Sequence, residues 1–441
     1  MITSLGCNKV ACCWTKAERA SLFLGDVPWL EVDLNVDSEE LYGPKMKRNQ
    51  VFQKIIEDLD FAIQWLPEAG SEEANRLNKD IARHVKARFC LNEGTHYKYH
   101  DELEYASEAE KWLQMAATES DKLITSGRYE IYNTGHPQED YFNMYRIDDK
   151  SDLKEAVLYV DYKTNIREHN MAAAGREAGC GFSKSFVESF LCSDGLPISL
   201  SNKYLGDETM RKETANRDPR LKQLILTNDF PTNVTDDLKD STFVVNEDEF
   251  ITQHCFTGYR PIKGFNPIYS QALYMKSSFD GIAYRYAETL LINAEAKAEL
   301  NTITNADLDR TVNQLRDRVG MPHLTVNVGF TDPKWPDWGY SLSPVLQEIR
   351  RERCIELAGE GFRFNDLKRW KAGKLLNNVL TYVGKRKPDG NLAIVYPNYT
   401  NPDLSYQAGK SRTWEDKMYL YPIPTGELQR NPQLLPQNPG W

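Results

Sequence analysis

The chain lacks most of the patterns that identify enzymes and metalloproteins. Its eight cysteines form no C-x-x-C pair, and its seven histidines complete no Cys/His cluster, so neither a metal nor a cofactor is predicted. No G-x-S-x-G, P-loop or EF-hand pattern occurs. Gly359-Glu360-Gly361 lacks the third glycine and the preceding strand of a dinucleotide-binding fingerprint. Enzymatic function therefore gains no support from short motifs.

Long apolar runs and an excess of positive charge are also missing. No run of eighteen apolar residues is present, so no membrane-spanning helix is predicted. The first residues lack the basic segment and apolar stretch of a secretory signal, although Ser4-Leu5-Gly6-Cys7 faintly resembles a lipoprotein cleavage site. The net charge of −10 argues against nucleic acid as a partner. With 441 residues and 41% apolar content, the chain can still bury a sizeable core.

Apolar residues at helical spacing predict several helices. The stripe from Val51 to Leu66 is closed by Pro67 and Gly70, and Asn305 or Thr304 caps a later helix. The predicted spans are about 51–66, 78–95, 105–125, 283–300, 305–319 and 342–357. Between them, about 128–280 is rich in turns, with strand-like runs at 156–160 and 243–245.

Helix pairs joined by short loops predict a mainly α fold of tetratricopeptide-like helix pairs packed against a loop-rich, irregular half. The predicted division is an atypical N-terminal segment 1–24, a helical-pair region 25–127, a loop-rich middle 128–280, a second helical-pair region 281–370 and C-terminal wrapping loops 371–441.

The segment from Ile349 to Trp370 carries ten charged residues on a stretch expected to be mostly helical. Its charges continue the core-facing stripe of Leu342, Val345 and Leu346, which favours a structural, partly buried ion-pair network. The predicted members are Glu352, Arg353, Glu356, Glu360, Arg363, Asp366 and Arg369. Two alternatives stay open: a solvated charged face, and glycosidase-type acid–base catalysis by paired carboxylates. A basic residue within helical reach of each carboxylate argues against catalysis, since it would lower the pKa.

Aromatic residues in loops offer a binding function instead. An exposed ring can stack on the apolar face of a pyranose, although such rings can also pack back onto the helices. The candidates for ligand binding are Trp29, Trp335, Trp338, Tyr340, Tyr396 and Tyr399. His96 and His100 share one helix face, but Tyr97 replaces the glutamate that zincin chemistry requires, so we expect surface histidines with no metal.

Four separated motifs resemble the SusD/RagB family, the surface glycan-binding lipoproteins of Bacteroidetes outer membranes. They are ER..EL..EGFR..DL.RW from Glu352 to Trp370, YRYAETLLINAEA from Tyr284 followed by LRDRVGMP from Leu315, RDPRL from Arg217, and YPIPTGELQRNPQLLPQNPGW from Tyr421. The resemblance extends from about Gly25 to the end.

The resemblance implies a mainly α fold without catalytic activity, in a protein that covers a TonB-dependent transporter of the SusC type and captures oligosaccharides or other nutrients for import. Localisation at the outer-membrane surface follows from it in the same way. The residues before Gly25 depart from the family's first helical segment and lipidated cysteine, so we expect a truncated or mis-started N-terminus. Two alternatives remain: a structural partner scaffold that binds no ligand, and a glycoside hydrolase.

Overall fold

The computed structural model describes residues 22–32, 34–71, 75–172, 181–252, 254–394 and 412–441. Within these residues helices dominate, so the predicted mainly α fold is confirmed. The α-helices are α1 (Arg48–Trp65), α2 (Lys79–Tyr99), α3 (Ala106–Thr125), α4 (Asp140–Asn143), α5 (Lys184–Ser189), α6 (Met210–Thr214), α7 (Arg220–Leu224), α8 (Tyr286–Glu299), α9 (Asn305–Asp309), α10 (Val312–Arg318), α11 (Pro344–Glu356), α12 (Arg363–Arg369) and α13 (Thr425–Arg430).

Short antiparallel strand pairs accompany the helices. In the described part of the chain they are β1 (Ala156–Val160) with β4 (Gly281–Arg285), β2 (Pro231–Val234) with β3 (Ser241–Phe243), and β5 (Val383–Arg386) with β6 (Leu392–Ile394). The strand predicted at 156–160 is β1, whereas the run predicted at 243–245 only meets the end of β3. No described helix is both long and apolar enough to cross a membrane.

Helices α1, α2 and α3 form a layer around one apolar core. Val51, Ile55 and Leu59 of α1 are completely buried in it, as their helical spacing predicts. Asn78 caps α2 by accepting hydrogen bonds from the backbone N–H groups of Asp80 and Ile81. The six residues between α2 and α3 are few enough to make the two helices antiparallel neighbours.

Helix α8 runs through the centre of the molecule and is buried on almost all sides. Its Ile292 and Ala296 join the core of the first three helices, while Leu290 and Leu291 join a second core with α9, α10 and α11. The predicted segments 25–127 and 281–370 thus share apolar cores. The loop-rich middle buries a core of its own between α5, α7 and the end of α11.

One predicted helix is interrupted, and one segment expected to be mostly helical divides into two helices. The helix expected over 305–319 divides into α9 and α10, because Thr311 has non-helical backbone angles. The segment 349–370 divides into α11 and α12, since Gly359 and Gly361 both have positive φ (+75° and +85°), which glycine adopts without strain. Glu360 and Arg363 therefore do not continue the face of α11, contrary to the expectation that their charges extend its core-facing stripe.

Candidate functional site

Glu356, at the end of α11, lies at the centre of a buried cluster of charged side chains. Arg318 donates to both of its carboxylate oxygens at 2.7 Å, Arg285 donates at 2.6 Å and Arg220 at 3.0 Å. Glu352, one turn earlier, also pairs with Arg220 and accepts from Arg316 at 3.1 Å. The partners come from α7, α8's N-terminal end and α10 rather than from the helix that carries the glutamates.

A second half of the cluster forms around Asp366 of α12. Arg353 of α11 donates to it at 3.0 Å and Arg369 at 2.9 Å. Arg369 also makes two bonds, of 2.6 and 2.7 Å, to Glu295 of α8. Glu360, in the turn before α12, pairs with Arg285 at 2.7 Å and with Lys263 at 2.6 Å. We call this whole set of charged side chains the brace. Its members are Arg220, Lys263, Arg285, Glu295, Arg316, Arg318, Glu352, Arg353, Glu356, Glu360, Asp366 and Arg369.

Arg363 is the one predicted network member that lies outside the brace. Its side chain is exposed at the start of α12, with its guanidinium 5.9 Å from the ring of Trp370. Among the described residues, no carboxylate lies within ion-pair distance of Arg363. Each of the other six predicted members has an oppositely charged partner at that distance. The break at the two glycines turns Arg363 away from the core.

Three carboxylates of the brace, those of Glu356, Glu360 and Asp366, are held in the ionised form. Burial alone would raise the pKa of Glu356, but Arg318, Arg285 and Arg220 outweigh it and hold the pKa well below its usual range. The pKa values of Glu360 and Asp366 are lowered in the same way, against the effect of burial, by Arg285 with Lys263 and by Arg353 with Arg369. A carboxylate held in this way cannot serve as a general acid near neutral pH.

His96 and His100 are buried, so the expectation of surface histidines is wrong. Their rings stack with centroids 3.9 Å apart. The Nε2 atom of His100 is hydrogen-bonded to the backbone carbonyl oxygen of Lys368, and its Nδ1 atom to a carboxylate oxygen of Glu102, both at 2.8 Å. Burial and the charge of Arg48 lower the pKa of His96 well below its usual range, which keeps this ring neutral. The described residues contain no group of His, Cys, Asp and Glu with metal-binding geometry.

The aromatic residues of the loop before α11 point mainly inward. Trp338 is 6% exposed and packs edge-on against Trp370, with Arg350 above its ring. Tyr340 stacks on Tyr99 and donates to the carbonyl of Trp370 at 2.6 Å. Trp335 is half-buried, with its indole N–H bound to Glu348 at 2.7 Å. In this conformation Trp338 offers no free ring face to a ligand.

Trp29 lies beside α1, away from the loop before α11. It is half-buried against the core of α1–α3, and its indole N–H donates to Glu31 at 3.2 Å. Lys54 of α1 donates to the same carboxylate oxygen at 2.5 Å. Tyr396 and Tyr399, the remaining predicted ligand contacts, lie outside the described residues.

Lys54 also lines an open groove of about 470 Å³ on the outer side of α1. Six of its seven lining residues carry polar side chains, and three of these are carboxamides. Its lining residues are Met46, Asn49, Gln50, Gln53, Lys54, Glu57 and Glu108. Asn49 donates to Glu108 of α3 at 3.1 Å, and Gln53 donates to Glu57 at 3.2 Å.

Some exposed aromatic residues are not among the ligand contacts that the sequence predicts. They lie on α1 beyond this groove and on another surface. Phe61 and Trp65 stand on the outer side of α1, with Trp65 55% exposed. Two large aromatics on the polar side of an amphipathic helix are a signal visible in the sequence. Tyr274, 72% exposed in the loop before β4, carries no comparable signal.

The model of the SusD family matches residues 122–441, almost three quarters of the chain. The chain belongs to the SusD family. The SusD-like protein P2 of Formosa agariphila is 24% identical over 430 residues, which cover 95% of this chain and 70% of that protein.

Solved structures show the same fold. A SusD-like protein of Bacteroides fragilis is 23% identical, with a TM-score of 0.73 over 99% of this chain and 80% of its own. A SusD-like carbohydrate-binding protein of the same species is 20% identical, with a TM-score of 0.70 over 98% and 80% of the two chains. In the SusD-family chain described here, the motif segments that include Arg220, Arg285, Arg318 and Glu356 meet in the brace.

Proposed function

We propose that the chain is a non-catalytic surface protein that captures oligosaccharides for import through a TonB-dependent transporter of the SusC type. On this proposal it is a lipoprotein that acts at the outer surface of the bacterial outer membrane. Membership of the SusD family is the observation that carries the proposal. A solved structure with this fold is described as a carbohydrate-binding protein, which supports oligosaccharide as the ligand class.

The electrostatics of the brace support a role without catalysis. Hydrolysis of a glycosidic bond needs one carboxylic acid that is protonated near neutral pH. Glu356, at the centre of the brace, is fully buried, and three arginines hold its pKa well below its usual range. A solvent-borne polysaccharide also has no contact with a side chain that is 0% exposed.

The predicted aromatic contacts differ in how accessible their rings are to a ligand. Trp29 and Trp335 keep part of their rings at the surface, so both are proposed as ligand contacts. Tyr396 and Tyr399 are proposed on the sequence argument alone. Trp338 and Tyr340 would need the loop before α11 to open, since their rings pack on Trp370 and Tyr99.

A structural scaffold that only supports a transporter is the alternative. It requires the helix layers and the brace but no ligand surface. Replacing Trp29 and Trp335 together by alanine separates the two functions: a binding protein loses nutrient uptake while still co-purifying with its transporter, whereas a scaffold keeps both.

Binding itself is tested by calorimetric titration of the purified chain with a panel of neutral and acidic polysaccharides and with peptides. The proposal predicts saturable heat with at least one polysaccharide and no release of reducing sugar from it. A chain that binds none of the polysaccharides, or binds only peptides, contradicts the proposal.

A further inference from the structure

We infer that the outer face of α1 is a binding subsite for an extended, uncharged oligosaccharide. This face, which we call the α1 face, consists of Gln50, Gln53, Lys54, Glu57, Phe61 and Trp65. The inference rests on the proposed function and names both the place and the ligand class.

The six side chains share one face because of their spacing. At 3.6 residues per turn, positions 50, 54, 57, 61 and 65 recur in steps of three and four and stay on one side of the helix. The opposite side, with Val51, Ile55 and Leu59, is buried in the core. From Gln50 to Trp65 the face is about 22 Å long, at ~1.5 Å per residue. A ligand in contact with both ends must therefore be elongated.

The N-terminal half of the face suits a ligand rich in hydroxyl groups. A carboxamide both donates and accepts, so Gln50, Gln53 and the neighbouring Asn49 can each bind a hydroxyl in either sense. Glu108 and Glu57 accept from Asn49 and Gln53 and thereby orient these amides. Gln50 is exposed and lines the groove.

The C-terminal half supplies apolar rings. Phe61 and Trp65 are 39% and 55% exposed, and their ring centroids lie 6.1 Å apart. Rings anchored to a rigid helix lose little side-chain freedom when they stack on a flat apolar surface such as one side of a pyranose. Trp29 adds a third ring near the opposite end, where it shares Glu31 with Lys54.

Charge on the α1 face disfavours anionic ligands. The one lysine of the groove lining, Lys54, is already neutralised by Glu31. The ammonium of the nearby Lys111 lies over the ring of Trp112 and donates to the side-chain amide oxygen Oε1 of Gln53 at 3.3 Å. Glu57 and Glu108 of the groove lining repel a uronic acid or sulfate group. The face therefore fits an uncharged glycan better than an anionic one.

The test is affinity electrophoresis and calorimetry of the full chain with neutral hexasaccharides of glucose, xylose and mannose, with oligogalacturonate and a lysine-rich peptide as charged probes. We expect at least one neutral probe to bind, with an affinity that hardly changes with salt. Trp65→Ala should weaken this binding about tenfold, as should the double change Gln50→Ala and Gln53→Ala.

Matched controls come from exposed residues elsewhere. Tyr274→Ala removes a more exposed aromatic ring, and Gln429→Ala removes an exposed amide from α13; neither should change binding. Neutral-sugar binding that is unchanged in both α1 variants overturns the inference and leaves the proposed function standing. Binding of only oligogalacturonate or the peptide overturns it as well. If no saccharide binds at all, both proposals fail.

Discussion

One guanidinium nitrogen of Arg318 lies 2.7 Å from each carboxylate oxygen of Glu356, and neither side chain contacts solvent. Arg318 belongs to the LRDRVGMP motif, and Glu356 belongs to the charged segment that ends at Trp370. Arg285 of the YRYAETLLINAEA segment and Arg220 of RDPRL bind the same carboxylate. Motifs that are far apart in the sequence thus converge on one buried anion, which explains their residue types by structure rather than by catalysis.

The first prediction concerns Arg353, which is 2% exposed and bound to Asp366. Arg353→Ala should lower the free energy of unfolding by about 3–5 kcal/mol, because it leaves part of a buried carboxylate uncompensated. Urea denaturation followed by circular dichroism measures this loss.

Arg363 provides the matched control, since it belongs to the same segment but is exposed. Arg363→Ala should change the free energy of unfolding by less than about 1 kcal/mol. Equal losses in the two variants would mean that burial of the Arg353 pair has no energetic consequence.

Acid should destabilise the chain through the brace. The folded-state pKa values of Glu356 and Glu360 are lowered from an ordinary value of 4.5, so their contribution is fully present above that value. It is lost as the pH falls below 4.5 through the lowered values, because the unfolded state takes up protons first. Denaturation midpoints measured between pH 6 and pH 3 should fall steeply at the acid end. Glu356→Gln, although less stable at pH 6, should show a shallower fall; parallel curves would contradict this.

Lys368 should produce a dependence of the same sign at alkaline pH. Its side chain is buried, its ammonium donates to the carbonyl of Leu22 at 3.2 Å, and it lies over the rings of Phe23 and Tyr421. Burial and the charge of Arg48 lower its pKa from 10.5 to about 7. Between these values the unfolded state binds more protons than the folded state, so stability should rise with pH.

Lys368→Met isolates this effect. The variant has no ammonium to bury, so its stability relative to the natural chain should fall between pH 7 and pH 9, by at most about 1.4 kcal/mol per pH unit. Urea denaturation of both proteins at each pH gives the difference. A difference that stays constant would show that Lys368 keeps its ordinary pKa in the fold.

Gly94 allows α2 and α3 to approach each other closely. A Cβ atom at this position would lie 2.9 Å from Cγ of Leu113 and 3.0 Å from its backbone nitrogen. Gly94→Ala should therefore destabilise the chain by about 1–3 kcal/mol, although alanine favours a helix by ~1 kcal/mol over glycine. Gly426→Ala in α13, where a Cβ meets open space, should leave thermal stability unchanged or slightly raised. A stabilised Gly94→Ala variant would refute the close contact.

The sequence predicts the first three helices well because local rules decide them. Their apolar stripes are regular, and Asn78 is a strong capping residue at the observed start of α2. The break between α11 and α12 depends on the positive φ of Gly359 and Gly361, which a charge pattern does not reveal. The prediction therefore places Arg363 in the network, where the structure has it at the surface.

The candidate site is less predictable because it depends on long-range contacts. The partners of Glu356 come from residues 38, 71 and 136 positions away, so no local pattern identifies them. The direction of the Trp338 ring is set by Trp370 and Arg350, which belong to other elements. The groove on α1 combines residues of α1 with Glu108 of α3, which lies more than forty positions later in the chain.

The central claim, that this SusD-family chain binds glycan and does not cleave it, can be tested in a single measurement. The chain is incubated overnight with each neutral polysaccharide of the panel, and the mixture is separated by size-exclusion chromatography with light scattering. We predict that with at least one polysaccharide the protein elutes as a complex with sugar chains of unchanged mass. Shortened sugar chains, or protein that elutes alone from every mixture, would contradict the claim.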